Sequence, residues 1–202
     1  MPTELCKLGE KYLVDKAPKF GGHTYTPQYH ALLSSVRNDT KLLLEIGVGN
    51  IPLMKGFTSH DYKPGASLRM WRDYFSNAQI IGCDILPQVM FTDKNITTFV
   101  TDQSNVKSLD TLISNVKKFQ EFADIIIDDG SHIENHQVIS FKTLWKLVKP
   151  NGIYIIEDIC LSWFKRIKNL PAECGFNDVE VIQAYNGGLF YDNFVAFRKL
   201  SK

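Results

Sequence analysis

Two short apolar segments of this chain each end in a pair of adjacent carboxylates. The first spans 124–132 and reads Asp-Ile-Ile-Ile-Asp-Asp-Gly-Ser-His, and the second spans 153–159 and reads Ile-Tyr-Ile-Ile-Glu-Asp-Ile. The four carboxylates that end them are Asp128, Asp129, Glu157 and Asp158. Charge at the end of a buried segment is costly unless it reaches a solvated crevice or holds a ligand. With His132 close by, these oxygens predict a pocket for a hard divalent cation.

Both segments have the pattern of strands in the middle of a parallel sheet, because they are apolar on both faces and too short for helices. Strands are predicted over 41–48, 79–86, 95–100, 124–128, 153–157, 179–185 and 194–198. Helices are predicted over 26–36, 67–75, 106–119, 135–148 and 161–170, with Ser67 as an N-cap. This alternation predicts an α/β fold, a doubly wound and mostly parallel seven-stranded sheet with an antiparallel last strand. Ligands of such sheets bind beyond the carboxyl ends of the strands.

The domain organisation predicted from the sequence is simple. A chain of 202 residues suits one domain, which we place at 26–202. Residues 1–25 form an N-terminal extension, and the glycines near its end predict a flexible entry to the domain. The predicted β-pair at the other end is joined by Asn186-Gly187-Gly188.

A glycine-rich turn follows the first predicted strand. Gly47 and Gly49 match the first two glycines of a nucleotide-binding turn, although the third is absent and the signal alone is weak. Asp84 ends the next strand, where an acidic side chain can bind both hydroxyls of a ribose. Asp102 ends the third strand, within reach of an adenine edge. Together these positions favour an adenosine-bearing cofactor.

The sign of the charge beside the glycines narrows the cofactor. The chain has no GxxxxGK[ST] phosphate loop, and Glu45 next to the glycines would repel a pyrophosphate. A carboxylate at this position suits a cationic ligand instead. S-adenosylmethionine, which carries a sulfonium and an ammonium, is therefore favoured over NAD or ATP.

Six short motifs of the chain form a recognisable set: LLEIGVG from Leu43, GASLRMWRDYF from Gly65, IGCDI from Ile81, DQS from Asp102, DDGSH from Asp128 and IIED from Ile155. The set resembles the motifs of the class I methyltransferases of the macrocin and mycinamicin sugar O-methyltransferase group. The resemblance covers about residues 28 to 199, and its specific parts are the SLRMWRDYF and DDGSH blocks. Members of that group use S-adenosylmethionine and Mg2+ to methylate a sugar hydroxyl, and the resemblance implies the same cofactors and a sugar or glycoside substrate here.

The resemblance also implies roles for individual residues. Asp129, Glu157 and Asp158 are the implied metal ligands, and His132 is the implied general base. Asp129 is the alternative base, but the intrinsic pKa of histidine lies nearer neutrality. The implied cofactor contacts are Glu45, Gly47, Gly49, Asp84 and Asp102, and Ser67, Gln103 and Asp128 from the matching motifs complete the candidate set. A divalent cation makes a sugar hydroxyl more acidic, so that His132 can accept its proton.

Bulk composition excludes several classes of protein. A net charge of +1 gives no general attraction to phosphate polymers, so a nucleic-acid partner is not expected. No apolar stretch reaches the roughly 20 residues of a membrane span, and no signal peptide is expected at the N-terminus. The four cysteines form no CxxC pair and indicate reduced thiols of a cytoplasmic protein. The sequence leaves a homo-oligomer open.

Other interpretations of the same residues stay open at this point. Asp128 and Asp129 before Gly130 also suit a simple turn before a helix. A catechol chelates a cation through two oxygens as a sugar diol does, so a phenolic acceptor is the first rival. His132, His136 and an aspartate suit a non-haem iron oxygenase, and a non-catalytic subunit is the third rival. Tyr185, Tyr191 and Asp192 are candidates for the wall of the acceptor pocket.

Overall fold

The structure, a computed structural model, describes residues 1–56, 58, 61–187 and 191–201. Its strands are β1 Leu42–Ile46, β2 Gln79–Asp84, β3 Thr92–Asp93, β4 Ile96–Val100, β5 Ala123–Asp128, β6 Val148–Ile156, β7 Val179–Asn186 and β8 Asn193–Lys199. They form one sheet in the order β3-β4-β2-β1-β5-β6-β8-β7. Gly188, which was predicted to join the last two strands, lies outside the described residues.

Helices cover both faces of this sheet. They are α1 Glu4–Tyr12, α2 Tyr25–Leu33, α3 Ile51–Met54, α4 Ala66–Tyr74, α5 Val106–Val116, α6 Glu134–Leu144, α7 Phe164–Lys168 and α8 Leu170–Glu173. Short 3-10 turns lie at Pro18–Phe20, Ser34–Val36, Pro87–Val89 and Trp145–Leu147. Within the part of the chain that the structure describes, no helix is both long and apolar enough to cross a membrane.

The predicted fold class is confirmed. Strand β1 pairs in parallel with β2 and β5, and the parallel pairing continues from β2 to β4 and from β5 to β6. Strand β8 runs antiparallel to both β6 and β7. Eight strands are present among the described residues rather than the seven predicted, because Thr92–Asp93 forms a two-residue antiparallel pair with β4.

Each face of the sheet packs into its own hydrophobic core. The strands are therefore apolar at consecutive positions instead of alternating between apolar and polar residues. All five residues of β1 are buried. Leu43 joins the core beneath α1, α2 and α4, whereas Leu44 joins the core beneath α5 and α6. A strand covered on both faces must be apolar at every position except where it ends, so polar residues concentrate at its carboxyl end.

The N-terminal residues are packed against the domain, so the predicted flexible entry is wrong. Thr3 caps α1 by accepting a hydrogen bond from the Cys6 amide at 3.2 Å. Leu5 and Ala17 are fully buried. The signal that misled the prediction is the pair of glycines, which terminate a 3-10 turn at Gly21 rather than loosening the segment. The domain boundary at residue 25 stays a prediction.

Two local predictions differ from the structure at points that matter for the site. Gly65, with a φ of 77°, is the N-cap of helix α4. Ser67 therefore lies inside the helix and is not its cap. Strand β6 begins at Val148 rather than at the predicted residue 153, and its register against β5 shifts between Ala123 and Ile125. The shift accommodates residues 149–152, and β6 then continues to the carboxyl edge.

Candidate active site

A cleft of about 410 Å³ lies at the carboxyl edge of the parallel strands. Its walls come from the loops after β1, β2, β4 and β5, from the residues after β6, and from the N-terminal segment. The predicted residues that line it are Gly47, Gly49, Ser67, Asp84, Asp102, Gln103, Asp129, His132 and Asp158. The topology therefore brings together side chains that lie up to 111 positions apart in the sequence. We call this space the cofactor cleft.

Gly47 and Gly49 form the floor of the cofactor cleft after β1. Both have positive φ, at 101° and 75°. A Cβ on Gly47 would lie 2.1 Å from the backbone oxygen of Asp129, and one on Gly49 would lie 2.4 Å from the hydroxyl of Tyr62. Because of the first contact, only glycine lets the turn after β1 approach the Asp129 backbone this closely.

Asp84 and Asp102 end neighbouring strands at the side of the cleft. Asp84 accepts hydrogen bonds from the Val48 and Leu86 amides, each at 3.0 Å. Asp102 accepts from the amide and the hydroxyl of Ser104, and these bonds lower the pKa of its carboxyl. Both carboxylates are thus fixed by the chain and retain lone pairs that can accept hydrogen bonds from a ligand.

Gln103 links the side of the cleft to the end of β5. Its amide nitrogen donates to Asp128 at 2.5 Å, and its amide oxygen accepts from the Ser131 backbone N–H at 2.9 Å. Asp128 is fully buried and lies behind the cleft rather than on its surface. Burial raises the pKa of Asp128 to about 7. As a cofactor contact Asp128 can act only through Gln103.

Glu45 likewise lies behind the wall of the cleft and is fully buried. It accepts hydrogen bonds from the Ser67 hydroxyl at 2.7 Å and from the Trp71 indole N–H at 3.2 Å. Burial raises the pKa of Glu45 to about 7, against the opposing effect of Lys16. Ser67, a partly buried residue inside α4, lines the cleft and connects it to Glu45.

Asp129, His132 and Asp158 converge on one point. Their potential ligand atoms all lie within 4.8 Å of one another. His132 and Asp158 have positive φ, at 56° and 51°, which is uncommon for residues other than glycine. Strained backbone of this kind persists where surrounding structure fixes it, and it is enriched at functional sites. The fit to a divalent cation therefore rests on the two carboxylates, which the fold holds together beside the imidazole of His132.

Glu157, the third predicted metal ligand, is engaged elsewhere. Its Oε1 accepts a hydrogen bond from the Tyr29 hydroxyl at 2.6 Å, and its Oε2 accepts from the Lys16 ammonium at 2.6 Å. Burial raises the pKa of Glu157 well above its ordinary value, with Lys16 opposing the shift. The sequence placed Glu157 in the cation site, but the structure turns it toward an internal ammonium group.

Lys16 is buried among the carboxylates with only 2% of its side chain exposed. Its Nζ lies 2.5 Å from Asp129 Oδ2, 2.6 Å from Glu157 Oε2 and 3.9 Å from Glu45 Oε1. Burial alone would lower the pKa of Lys16, but these carboxylates raise it well above its ordinary value. The ammonium therefore stays charged and offsets part of the negative charge of the site.

Two tyrosines one helical turn apart hold the pair of carboxylates after β6. Tyr29 donates to Glu157, and Tyr25 donates to Asp158 at 2.7 Å. Residues four positions apart lie on the same face of a helix, so α2 presents both hydroxyls to adjacent acidic residues. The sequence analysis did not identify Lys16, Tyr25 or Tyr29. The spacing of the tyrosines is the one signal that was present, whereas nothing near Lys16 distinguishes it from a surface lysine.

His132 is the residue best placed to accept a proton. Its side chain is 33% exposed, its Nε2 lies 3.6 Å from Asp158 Oδ2, and its Nδ1 has no hydrogen-bond partner among the described residues. Burial lowers the pKa of His132, which favours the neutral imidazole at neutral pH. His136 is outside the cluster, and its Nδ1 pairs with the Ser131 hydroxyl at 2.8 Å. The facial triad of the iron oxygenase alternative is therefore not assembled.

A second cavity of about 780 Å³ adjoins the cofactor cleft. His132 and Asp158 line both spaces, and Trp163, Tyr191 and Asp192 line the second cavity alone. Tyr191 and Asp192 were predicted to line an acceptor pocket. Tyr185 does not line it, since its hydroxyl pairs with Thr24 Oγ1 at 2.5 Å. The two cavities thus adjoin each other at His132 and Asp158.

Comparison with known proteins places this site in context. The mycinamicin VI 2''-O-methyltransferase of Micromonospora griseorubida is 34% identical over 184 residues, which cover 90% of this chain and 43% of that protein. The demethylmacrocin O-methyltransferase of Streptomyces fradiae is 36% identical over 162 residues, which cover 80% of this chain and 38% of that protein. No protein-family model matches the chain.

A solved structure shows the same relationship. It is MycE methyltransferase from the mycinamycin biosynthetic pathway, in complex with Mg, SAH and mycinamycin VI. The TM-score is 0.73 at 30% identity, and the match covers 98% of this chain and 54% of that one. The chain thus spans less than half the length of the two curated relatives. It belongs to the family of class I S-adenosylmethionine-dependent methyltransferases that contains the mycinamicin and macrocin sugar O-methyltransferases.

Proposed function

We propose that this chain catalyses the Mg2+-dependent transfer of a methyl group from S-adenosylmethionine to a hydroxyl of a sugar or a glycosylated small molecule. The observation that carries the proposal is the cluster of Asp129, His132 and Asp158 in the cofactor cleft, with His132 and Asp158 also lining the second cavity. A methyl donor on one side and an acceptor on the other would meet at this cluster. Because the chain spans less than half of its relatives, the activity of the whole protein is part of the proposal.

The residues of the cluster suit Mg2+. Asp129 and Asp158 supply the oxygen ligands that this ion prefers, and Glu157 stays a predicted third ligand. The ion, when bound, would supply the positive charge that makes a sugar hydroxyl acidic and stabilises the negative oxygen. The solved relative named above contains Mg, which supports this assignment.

His132 would act as the general base. Its lowered pKa keeps the imidazole neutral and able to accept a proton. Once protonated, the ring would be stabilised by Asp158 beside it, whose Oδ2 lies 3.6 Å from Nε2. Asp129 as the base remains the alternative, but its Oδ2 is already paired with Lys16.

The cofactor cleft suits S-adenosylmethionine. Gly47 and Gly49 line the cleft where the backbone turns after β1, and Asp84 presents a fixed carboxylate where a ribose would bind. Glu45 contributes through Ser67 rather than by direct contact. The solved relative contains SAH, the product of this cofactor, which supports the proposal.

Two further parts of the proposal concern the protein as a whole. A cytoplasmic location is supported by four cysteines that are all free thiols. A homo-oligomeric assembly remains a prediction.

The test is a methyl-transfer assay with the purified chain, S-adenosylmethionine and Mg2+. The acceptor panel contains glycosides, nucleotide sugars and catechols, and mass spectrometry measures the gain of one methyl group. We expect transfer to a sugar-bearing acceptor, with turnover lost by about 100-fold or more in His132→Ala because a general base is removed. Asp129→Ala is expected to abolish turnover while circular dichroism shows an intact fold.

The matched control is His30→Ala, which removes a histidine that lies outside the cofactor cleft and pairs with Tyr74. It is expected to retain activity. Full activity of His132→Ala, or of the wild-type chain in excess EDTA, would refute the proposed site. Transfer to catechols alone would replace the sugar acceptor with a phenolic one.

A further inference from the structure

Lys16 belongs to the N-terminal segment, and its buried ammonium contacts the acidic site at Asp129 and Glu157. We propose that Lys16 is a built-in counter-cation: its ammonium holds Asp129 and Glu157 while no metal ion is bound, and it competes with a divalent cation for Asp129. This inference rests on the divalent-cation site of the proposed function. It concerns a residue that lies outside the motifs quoted from the sequence.

The backbone of Lys16 is fixed at the start of α2. Its carbonyl oxygen accepts hydrogen bonds from the Tyr25 and Thr26 amides, each at 3.1 Å. The first amides of a helix have no partner within the helix, so this carbonyl satisfies two of them. Ala17, the next residue, is fully buried. The side chain of Lys16 is therefore directed into the site from a rigid point.

The ammonium shares one ligand with the proposed metal site. Asp129 pairs with Lys16 at 2.5 Å and also belongs to the cluster with His132 and Asp158. Glu157 is not shared in this way, because both of its oxygens are engaged by Lys16 and Tyr29. Asp129 is thus the point where the internal cation and an incoming divalent ion meet.

Two like charges at one carboxylate repel each other, and burial limits the screening of that repulsion by solvent. A divalent ion must therefore displace the ammonium from Asp129, or bind to Asp129 while the ammonium is still there and repels it. Lys16 can move without leaving the site, since it would keep Glu157 at 2.6 Å and has Glu45 at 3.9 Å. Without any cation, the fully buried carboxylate of Glu157 and the partly buried carboxylate of Asp129 would have no compensating charge.

A purely structural role for Lys16 predicts the opposite effect on metal affinity. If the ammonium only fastens the N-terminal segment to the site, its removal loosens Asp129 and weakens the binding of a divalent ion. If it competes, its removal strengthens binding. The direction of the change separates the two roles.

The experiment measures the dissociation constant of Mn2+ by isothermal titration calorimetry, on the full chain without cofactor. Lys16→Met keeps the length of the apolar stem and removes the charge. We expect its Kd for Mn2+ to be lower than that of the wild type by about tenfold or more, since one unit charge is removed next to a ligand. We also expect Mn2+ to raise the melting temperature of this variant more than that of the wild type.

Lys149→Met is the matched control. Lys149 is a partly buried lysine that pairs with Asp124 near the amino end of β5, at the opposite edge of the sheet. It loses an ion pair of the same kind without touching the cluster. Its Kd for Mn2+ is expected to stay within about twofold of the wild-type value, well below the change expected from removing a charge beside a ligand.

A second pair of variants covers the case in which Lys16→Met does not fold because of the uncompensated carboxylates. Glu157→Gln removes one carboxylate and leaves Lys16 on Asp129, and Lys16→Met in that background removes the ammonium as well. The double variant is expected to bind Mn2+ more tightly than Glu157→Gln alone. This comparison isolates the competition at Asp129.

The outcomes separate this inference from the proposed function. Suppose that the wild type binds Mn2+ and that replacement of Lys16 by methionine leaves binding equal or weaker, both in the wild-type chain and in the Glu157→Gln background. That result overturns the counter-cation role of Lys16 and leaves the metal site intact. No binding of Mn2+ by any variant overturns the metal site and the counter-cation together. Binding only after Lys16 is replaced supports the competition while removing the metal from the wild-type mechanism.

Discussion

Replacement of Gly47 by alanine is the sharpest test of how the fold assembles the site. Gly47 begins the turn after β1, and the backbone oxygen of Asp129 lies close against it. The Asp129 amide donates to the Ile46 carbonyl at 3.0 Å, so the two loops are joined at this point. Gly47→Ala is therefore expected to disturb both the stability of the fold and the position of a catalytic carboxylate.

The expected magnitude has three parts. Gly47 has a φ of 101°, and a left-handed conformation costs an alanine about 1–2 kcal/mol. A smaller gain of about 0.4–1 kcal/mol comes from the reduced freedom of the unfolded chain. The new Cβ would also lie 2.1 Å from the Asp129 oxygen, so the two loops must separate. With a backbone hydrogen bond and local packing disrupted, we expect the free energy of unfolding to fall by about 3 kcal/mol or more.

The assay is urea unfolding of the wild type, Gly47→Ala and the matched variant Gly21→Ala. Gly21 has a φ of 73°, but a Cβ there would meet no atom within 4 Å. It therefore reports the conformational cost alone, which we expect to be about 1 kcal/mol or less once the unfolded-state gain is included. Calorimetry with S-adenosylhomocysteine would show weakened binding by Gly47→Ala and unchanged binding by Gly21→Ala.

Equal losses of stability in the two variants would refute this reasoning. They would mean that the turn and the Asp129 backbone can separate at no cost. In that case the close approach of β1 and β5 loops would not be what positions Asp129.

Three further predictions follow from buried groups of the site. Tyr29→Phe is expected to lower the free energy of unfolding by about 2 kcal/mol in urea, because the buried Glu157 loses the hydroxyl at 2.6 Å; no loss would mean that water replaces that hydroxyl. Burial raises the pKa of Asp128 to about 7 in the fold, above the usual aspartate value of about 3.9, so the native state holds a proton that the unfolded chain releases. Its contribution to stability is full below about pH 4 and is lost, by roughly 4 kcal/mol, as the pH rises to 7. Asp128→Asn should therefore flatten the decline of stability measured between pH 4 and 8, and parallel curves for the two proteins would contradict this. Mg2+ at 100 times its Kd should stabilise the native state by about 2.7 kcal/mol, and a melting temperature unaffected by Mg2+ would argue against the site.

The acidic residues illustrate how far the sequence determines the site. The apolar runs before Asp129 and Asp158 identify central strands, and the carboxyl ends of parallel strands meet at one edge. Those two facts are enough to predict from the sequence that both residues lie in one crevice. The glycine turn, Asp84 and Asp102 follow by the same reasoning, and all of them line the cofactor cleft.

Burial behind the wall of the cleft was not predictable in this way. Glu45, Asp128 and Glu157 stand in motif positions but face the protein interior, where each has hydrogen-bond partners from distant elements. Local pattern identifies the strand end on which a carboxylate lies. It does not identify which of two adjacent carboxylates faces the cleft, because that depends on how α2 and α4 cover the edge of the sheet.

The sequence by itself determined the sheet, the edge at which ligands bind and the family of the chain, because strand periodicity and terminal charge are local properties. Only the tertiary structure decided the partners of those charges. Lys16 lies 113 positions from Asp129, and nothing in the intervening sequence indicates that they pair. The ammonium reaches the carboxylates because its carbonyl is held at the start of α2 and its neighbours are buried in the core. Contacts between such distant residues follow from the packing of whole elements, and that packing is set by the complete fold.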